Sequence, residues 1–328
     1  MSSSVAVVGA TGLVGRTMLR VLEERSFPVG QLRLLASARS AGERIAFGRK
    51  RYTVEELRED SFEGIDVALF SAGGGISRHF APVAARAGAV AIDNSSVWRM
   101  DRSVPLVVPE VNPQAAARHH GIIANPNCST IQLVVALKPL HEAFGLKRVV
   151  VSTYQAVSGA GQSGVEQLMG ELRGRPPRQP KFPRPAAFNT MFHSFGEGDN
   201  TEEETKMLRE TRKIMGLPRL PITVTCVRIP TTAGHAESVN VEFERPVSPA
   251  RARKVLERAQ GVVVMDDPAQ DIYPTTLDVA DRDDVLVGRV RRDPSQPNTL
   301  NLWVVANNVR KGAATNAVQI AELLRAER

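Results

Sequence analysis

Short apolar runs alternate with stretches of helical spacing over the first third of the chain. Residues 5–8, VAVV, read as a buried strand, and the turn GATGLVG (9–15) follows at once. TMLRVLEER then sets Met18, Leu19 and Leu22 on one helical face. QLRLLAS (31–37), IDVALF (65–70) and GAVAIDNSS (88–96) continue the strands, and a helix runs through RHFAPVAARAG. Strand, glycine turn and helix in repetition predict a parallel, doubly wound sheet.

After residue 127 the pattern changes. Ile131, Val134, Val135 and Leu137 carry helical spacing over 129–138. The runs at 148–157, 222–230, 238–244, 261–265, 284–292 and 300–307 then predict a largely antiparallel sheet with fewer helices between its strands. Ile222, Val224, Cys226 and Arg228 fall on one face of a strand. Thr201–Glu204 has the spacing of a capping box, opening a helix on which Glu203 and Lys206 are i, i+3 neighbours. A proline-rich stretch, 174–186, is of a length usually reserved for function or a subunit contact. The closing run KGAATNAVQIAELLRAE reads as an amphipathic helix that returns to the first domain. The expected division is a nucleotide-binding domain over 1–127, completed by 308–328, and a second domain over 128–307.

Composition narrows the function. The chain is 42% hydrophobic and 23% charged, with no apolar run of membrane-spanning length. The first residues lack the basic start and cleavage site of a secretory signal, so the expectation is a cytoplasmic protein off the membrane. Two cysteines, Cys128 and Cys226, make neither a bridge framework nor a metal-ligand pair; reduced thiols and no metal are expected. The net charge of +7 is spread along the chain without interleaved aromatics. That distribution argues against a nucleic-acid partner and leaves anionic small molecules as a use for the charge.

The glycine turn reads as a dinucleotide cradle over Gly9, Ala10, Thr11, Gly12, Leu13 and Val14. Gly9 and Gly12 let backbone N–H groups approach a pyrophosphate, and Gly15 lets helix and strand pack closely. The second strand ends in Ser37, Arg39 and Ser40, where an NAD site would carry Asp or Glu. Hydroxyls and a guanidinium suit a 2′-phosphate, so NADP(H) is expected over NAD(H). SAGGG (71–75), with Ala72 and Gly73, offers a second close approach to a cofactor.

Cys128 lies in NPNCST (125–130), where a helix begins. Unpaired N–H groups at a helix start favour a thiolate, Pro126 stiffens the approach, and Ser129 and Thr130 are capping types. Composition alone leaves a buried structural cysteine equally open. His235, in TTAGHAE, is an acid/base candidate, and Arg228 ends its apolar row as a cation wanting an anion. Gln155 ends its strand as a neutral amide able to orient substrate.

NPNCST, STYQAVSGAG (152–161), GATGLVG, SAGGG, AIDNSS, RIPTTAGHAE (228–237) and GAATNAVQIAE (312–322) together resemble the aspartate-β-semialdehyde dehydrogenase family, in order along nearly the whole chain. The resemblance implies a Rossmann-type NADP-binding domain plus an α+β catalytic and dimerisation domain of the glyceraldehyde-3-phosphate dehydrogenase-like type. It implies NADPH-dependent reduction of β-aspartyl phosphate to the semialdehyde, with release of phosphate. By the same resemblance Cys128 forms a thioester, and His235 and Gln155 complete the catalytic group. Arg228 takes the substrate α-carboxylate, Glu203 its ammonium, and Lys206, Arg99 and Asn127 the phosphate. Ser158, Gly159 and Asn308 approach the cofactor, and the assembly is a homodimer or homotetramer. The runs at 188–200 and 306–312 depart from the family's usual pattern. N-acetyl-γ-glutamyl-phosphate reductase, or a non-catalytic NADP-binding sensor, are the rival readings.

Overall fold

The computed structural model describes residues 2–196 and 198–326. Met1, Glu197, Glu327 and Arg328 lie outside the described residues, and with them the outermost residues of the expected first domain and of its closing helix. The chain divides into two compact units, Met1–Asn127 with Ala313–Arg328, and Cys128–Gly312.

The first unit is built on β1 (Ser3–Val8), β2 (Val29–Ala36), β3 (Arg44–Phe47), β4 (Lys50–Glu56), β5 (Val67–Phe70), β6 (Val90–Asp93) and β7 (Ile122–Ala124). They form one sheet in the order β3-β4-β2-β1-β5-β6-β7, parallel except where β3 pairs β4. β1 and β5 are fully or nearly fully buried, as strands covered on both faces must be. Helices α1 (Leu13–Glu24) and α2 (Gly74–Arg86) make the crossovers. The chain leaves β1 toward β2 on one side and later adds β5 on the other. The crevice of such a sheet lies where that order reverses, at the carboxyl ends of β1 and β5. Val5, Val7, Met18, Leu22, Leu34, Leu69 and Ile92 pack with Val318, Ile320 and Leu324 of the closing helix, Thr315–Ala326, in one core. That helix starts four residues later than the run at 311 suggested. Arg310–Ala314 form a wider π-type turn, and Asn308–Gly312 belong to the second unit.

The second unit contains α3 (Cys128–Phe144), β8 (Leu146–Gln155), α4 (Gln162–Leu172), β9 (Met191–Phe192), α5 (Glu202–Met215), β10 (Ile222–Arg228), β11 (His235–Phe243), α6 (Pro249–Leu256), β12 (Val262–Val264), β13 (Val285–Arg292) and β14 (Thr299–Ala306). Its sheet runs β12-β13-β14-β11-β8-β10-β9. Most pairings are antiparallel, but β10 on β8 and β12 on β13 are parallel. Buried Ile222, Val224 and Cys226 alternate with exposed Thr223 and Thr225, the face expected of β10. α3 lies against the sheet and is buried through Leu137, so it is apolar nearly all round. It extends to Phe144 with Pro139 inside it, well beyond residue 138. Cys128 is its first residue, so Ser129 and Thr130 are buried helical positions rather than caps.

The capping box of α5 forms in both directions. Glu204 N–H donates to Thr201 Oγ1 and Thr201 N–H to Glu204 Oε2. The other oxygen of Glu204 accepts Cys226 N–H at 2.9 Å, tying the start of α5 to β10. The proline-rich stretch packs rather than floats. Phe182 and Ala186 join Val157, Leu168 and Met191 in a small core, and Glu171 accepts the N–H groups of Ala186 and Ala187. A carboxylate anchor suits a stretch whose prolines cannot donate.

Among the described residues no helix is long and apolar enough to cross a membrane, and no cluster of three metal-ligating side chains occurs.

Candidate active site

Three strand ends meet at one edge of the second sheet. β10 runs beside β8 in a register that pairs Arg228 with Gln155. β11 starts at His235 on the other side of β8, with Ala236 opposite Tyr154. Parallel pairing of β8 and β10 makes both end at this edge, and the antiparallel β11 begins there.

His235 is wholly buried. Ala156 N–H donates to its Nδ1 at 3.0 Å, which leaves the proton of the neutral ring on Nε2. Nε2 has no hydrogen-bond partner among the described residues. Burial, with the nearby Arg228 guanidinium second, lowers the pKa of His235 to about 3. The ring is therefore neutral at pH 7 and presents an N–H donor.

Arg228 is held on three sides. Nη1 donates to Ala156 O at 3.0 Å, Nη2 to His193 Nε2 at 3.0 Å, and the guanidinium lies 5.0 Å from the Phe182 ring centroid. Burial pulls its pKa below the usual arginine value, while Glu203 and the Cys128 sulfur act the other way. The attraction between Arg228 and the sulfur is mutual, so the guanidinium favours the thiolate.

Cys128 stands partly exposed at the first position of α3, whose first turn carries no acidic residue. Gly312 lies against it: a Cβ there would come 2.8 Å from Cys128 Cβ. Cys226 is the inert thiol, fully buried with its pKa pushed far up by burial. Gly159 keeps the space beside Arg228 and His235 open, since a Cβ there would sit 3.4 Å from both Arg228 Nη1 and His235 Nε2.

Gln155 and Glu203 come together, as do Glu203 and Lys206. Gln155 Nε2 lies 3.2 Å from Thr153 Oγ1 and 3.3 Å from Glu203 Oε1, and Lys206 Nζ reaches Glu203 Oε2 at 3.3 Å. A cavity of about 660 Å³ is lined by Arg228, His193, Glu203, Lys206 and Gly159, with Lys181 and Arg184 from the proline-rich stretch. Ser158 and Asn308 also meet: Asn308 Nδ2 donates to Ser158 Oγ at 3.0 Å and Asn308 Oδ1 accepts Gly234 N–H. Two residues beyond His235 on the same face of β11, Glu237 is wholly buried. Burial raises its pKa well above the usual carboxylate range, with Gln132 of α3 favouring the charged form. Neither carboxyl oxygen makes a full hydrogen bond among the described residues.

The remaining expected positions lie in the first unit. Gly9 has φ +84, and a Cβ there would lie 2.5 Å from Ser71 O, so the GATG and SAG turns touch at the carboxyl ends of β1 and β5. Gly12 is the N-cap of α1 and offers no side-chain cap, which keeps the first amides of the helix, at Leu13 and Val14, aimed outward. Ala72 and Gly73 precede α2, and Gly73 also has positive φ. This is a backbone cradle that side chains would fill, and it fits a dinucleotide pyrophosphate. Ser37 and Arg39 are exposed just past β2, with Ser40 half-buried. Arg99 and Asn127 are buried; Arg99 donates to the carbonyls of Asn125 and Asn94, bracing the segment that leads to Cys128.

His193, Phe182 and Gly312 escaped the sequence reading. His193 is a lone histidine in an irregular run, and no spacing links it to Arg228, 35 residues away. The glycine in RKGAAT carried the only visible signal for Gly312, a small residue inside a helical pattern.

A parallel sheet with a glycine cradle in one unit, and a mixed sheet whose strand ends carry histidine and arginine in the other, are the parts of a nucleotide-dependent dehydrogenase. Residues 4–119 match the family described as "Semialdehyde dehydrogenase, NAD binding domain", and 137–311 that described as "Semialdehyde dehydrogenase, dimerisation domain". An aspartate-semialdehyde dehydrogenase from Aquifex aeolicus is 55% identical, covering 99% of this chain and 98% of its own. The crystal structure of aspartate semialdehyde dehydrogenase II from Vibrio cholerae, complexed with ASA, superposes with TM-score 0.95 at 49% identity, over 99% of this chain and 98% of that one. A Candida albicans aspartate semialdehyde dehydrogenase structure with NADP is more distant, with TM-score 0.76 at 26% identity and 99% coverage of both chains. The chain belongs to the aspartate-semialdehyde dehydrogenase family, and its NAD binding domain makes a pyridine nucleotide its cofactor.

Proposed function

We propose that the protein converts L-aspartyl-4-phosphate to L-aspartate-4-semialdehyde, releasing phosphate, with NADP(H) as cofactor and a thioester on Cys128. The step serves lysine, threonine and methionine biosynthesis. The observation that carries this reading is the placement of a partly exposed thiol at a helix start, attracted to Arg228, in a unit where Arg228 and His235 share one anchoring residue.

The Cys128 thiolate attacks the acyl carbon, the C–O bond to phosphate breaks, and a thioester forms. The nicotinamide, when bound, supplies the hydride that reduces it. The tetrahedral oxygen so formed meets the Nε2–H of His235, a neutral donor suited to an oxyanion. Collapse breaks the C–S bond and returns the thiolate. In the oxidative direction His235 must take a proton on Nε2, which requires the other tautomer and loss of the Ala156 bond. Arg228 clamps the α-carboxylate, and Glu203, buried and bound by Gln155 and Lys206, is placed for the ammonium. Gln155 orients the acyl group. Lys206, with Arg99 and Asn127, takes the phosphate.

The cofactor would be held by Gly9–Val14, Ala72 and Gly73 at its pyrophosphate, and by Ser158, Gly159 and Asn308 toward the nicotinamide. Exposed Arg39 with Ser37 and Ser40 would take the 2′-phosphate; that a Candida albicans relative was solved with NADP supports NADP as the cofactor. The matched dimerisation domain supports self-association, as a homodimer or as the dimers of a homotetramer. The test is phosphate-dependent reduction of NADP by the semialdehyde. Loss of turnover on alkylating Cys128 is expected, and full activity after complete modification excludes the mechanism.

A further inference from the structure

Arg228 must offer a fixed guanidinium to a small, mobile carboxylate, yet it sits at a strand end beside a cavity of about 660 Å³. Two of its restraints come from the scaffold: the Ala156 carbonyl and the Phe182 ring. The third is a side chain. Arginine has no acceptor, so the hydrogen in the 3.0 Å contact between Nη2 and His193 Nε2 belongs to the guanidinium. His193 is thus an acceptor on that side, and its neutral ring carries its proton on Nδ1, which is out of solvent and without a partner among the described residues.

The backbone places this ring deliberately. β9 is only Met191–Phe192, and it pairs with the last two residues of β10, Phe192 opposite Val227 and Met191 opposite Arg228. His193 follows at once, so a two-residue strand sets the imidazole against the guanidinium.

We propose that His193 is a positioning residue for substrate recognition: as a neutral acceptor it fixes which edge Arg228 turns to the cavity without cancelling its charge. This rests on the reading of Arg228 as the carboxylate clamp. A carboxylate at 193 would hold the guanidinium as firmly but would compete for the charge the substrate needs. Glu203, the nearby carboxylate, already shares its oxygens with Gln155 and Lys206. Preorganisation of this kind shows in binding of the group that is clamped.

The experiment compares His193→Leu, His193→Gln and Arg228→Lys in the oxidative assay, with thermal midpoints recorded. His193→Leu is expected to raise KM for the semialdehyde about tenfold, with kcat within about threefold and KM for phosphate unchanged. His193→Gln, whose amide oxygen can accept from Arg228, is expected to recover most of the loss. Adding His193→Leu to Arg228→Lys should cost little more, because the two act through one contact. If His193→Leu leaves the semialdehyde KM unchanged while Arg228→Lys raises it, positioning by His193 is refuted and the clamp stands. An unchanged KM in Arg228→Lys refutes the clamp itself. A His193→Leu protein with lowered thermal midpoint, all parameters impaired together and no rescue by Gln shows a merely structural residue and overturns the proposal.

Discussion

Arg228 and His235 are held by opposite ends of one residue. Ala156 donates its N–H to Nδ1 of His235 and accepts Nη1 of Arg228 through its carbonyl, each at 3.0 Å. Ala156 directly follows Gln155, the last residue of β8, so the central strand locks the imidazole and the guanidinium in one geometry. Displacing either group should therefore disturb the other.

The two thiols should differ sharply in reactivity. Cys128 is partly exposed and Cys226 buried, with its thiolate disfavoured. A small alkylating agent on the folded protein is expected to modify one thiol per chain, located at Cys128 by peptide mass, and the second only after denaturation. Cys128→Ser should lower kcat by about 10³-fold or more, because an alcohol lacks the nucleophilicity of a thiolate.

Stability should fall in acid through His235. Its folded pKa, about 3, lies below the unfolded value near 6.5. The unfolded chain therefore binds a proton first as pH falls, and stability present above pH 6.5 is lost progressively toward pH 3. The slope from this one group approaches about 1.4 kcal/mol per pH unit. His235→Gln should flatten the pH dependence of denaturant midpoints in that window; an unchanged slope would show that the ring is charged or exposed.

Glu237 has the opposite sign. Its folded pKa is raised by burial, so its contribution is full below pH 4.5 and is lost as pH rises above that value. Glu237→Gln removes the titration and should gain stability relative to the parent as pH rises above 4.5. Midpoints that run parallel for the two proteins would contradict a raised pKa at Glu237.

Gly312→Ala tests the packing behind Cys128. The added Cβ would meet Cys128 Cβ at 2.8 Å, closer than side-chain carbons approach. The sulfur must shift, and a fall in kcat of about tenfold or more is expected from misplacement alone. Alkylation rates of Cys128, compared with the parent, check that the thiol itself has moved.

Arg39→Leu probes the cofactor. Loss of one charged hydrogen bond to a 2′-phosphate corresponds to about 10- to 100-fold in kcat/KM for NADP. NAD turnover should be unchanged. An equal loss with both cofactors would place Arg39 elsewhere than at the phosphate.

Much of this was legible in the chain. Strands β1, β2, β5 and β6 announced themselves through continuous apolar runs, as strands of a parallel sheet covered on both faces do, and β8 and β10 to β14 through runs rich in β-branched residues. β3 and β4 did not. β3 is the edge strand and β4 its neighbour, both with mostly exposed residues, and Arg44–Phe47 and Lys50–Glu56 are too short and too charged to stand out from loop. The capping box of α5 was readable because its bonds are local, three residues apart. The start of α3 was misjudged by one residue because Ser129 and Thr130 are capping types. Tertiary burial drew them into the helix instead.

Local chemistry, which depends on near neighbours along the chain, was thus settled by sequence: the glycine turn, the thiol at a helix start, the apolar face of β10. Tertiary structure alone decided the tautomer of His235, the raised pKa of Glu237, the bracing of Arg228 by His193 and Phe182, and the pressure of Gly312 on Cys128. Each of these, for Glu237 the raised pKa and not a fixed protonation state, depends on desolvation or contact between residues far apart in sequence, and only a folded sheet brings such partners within reach.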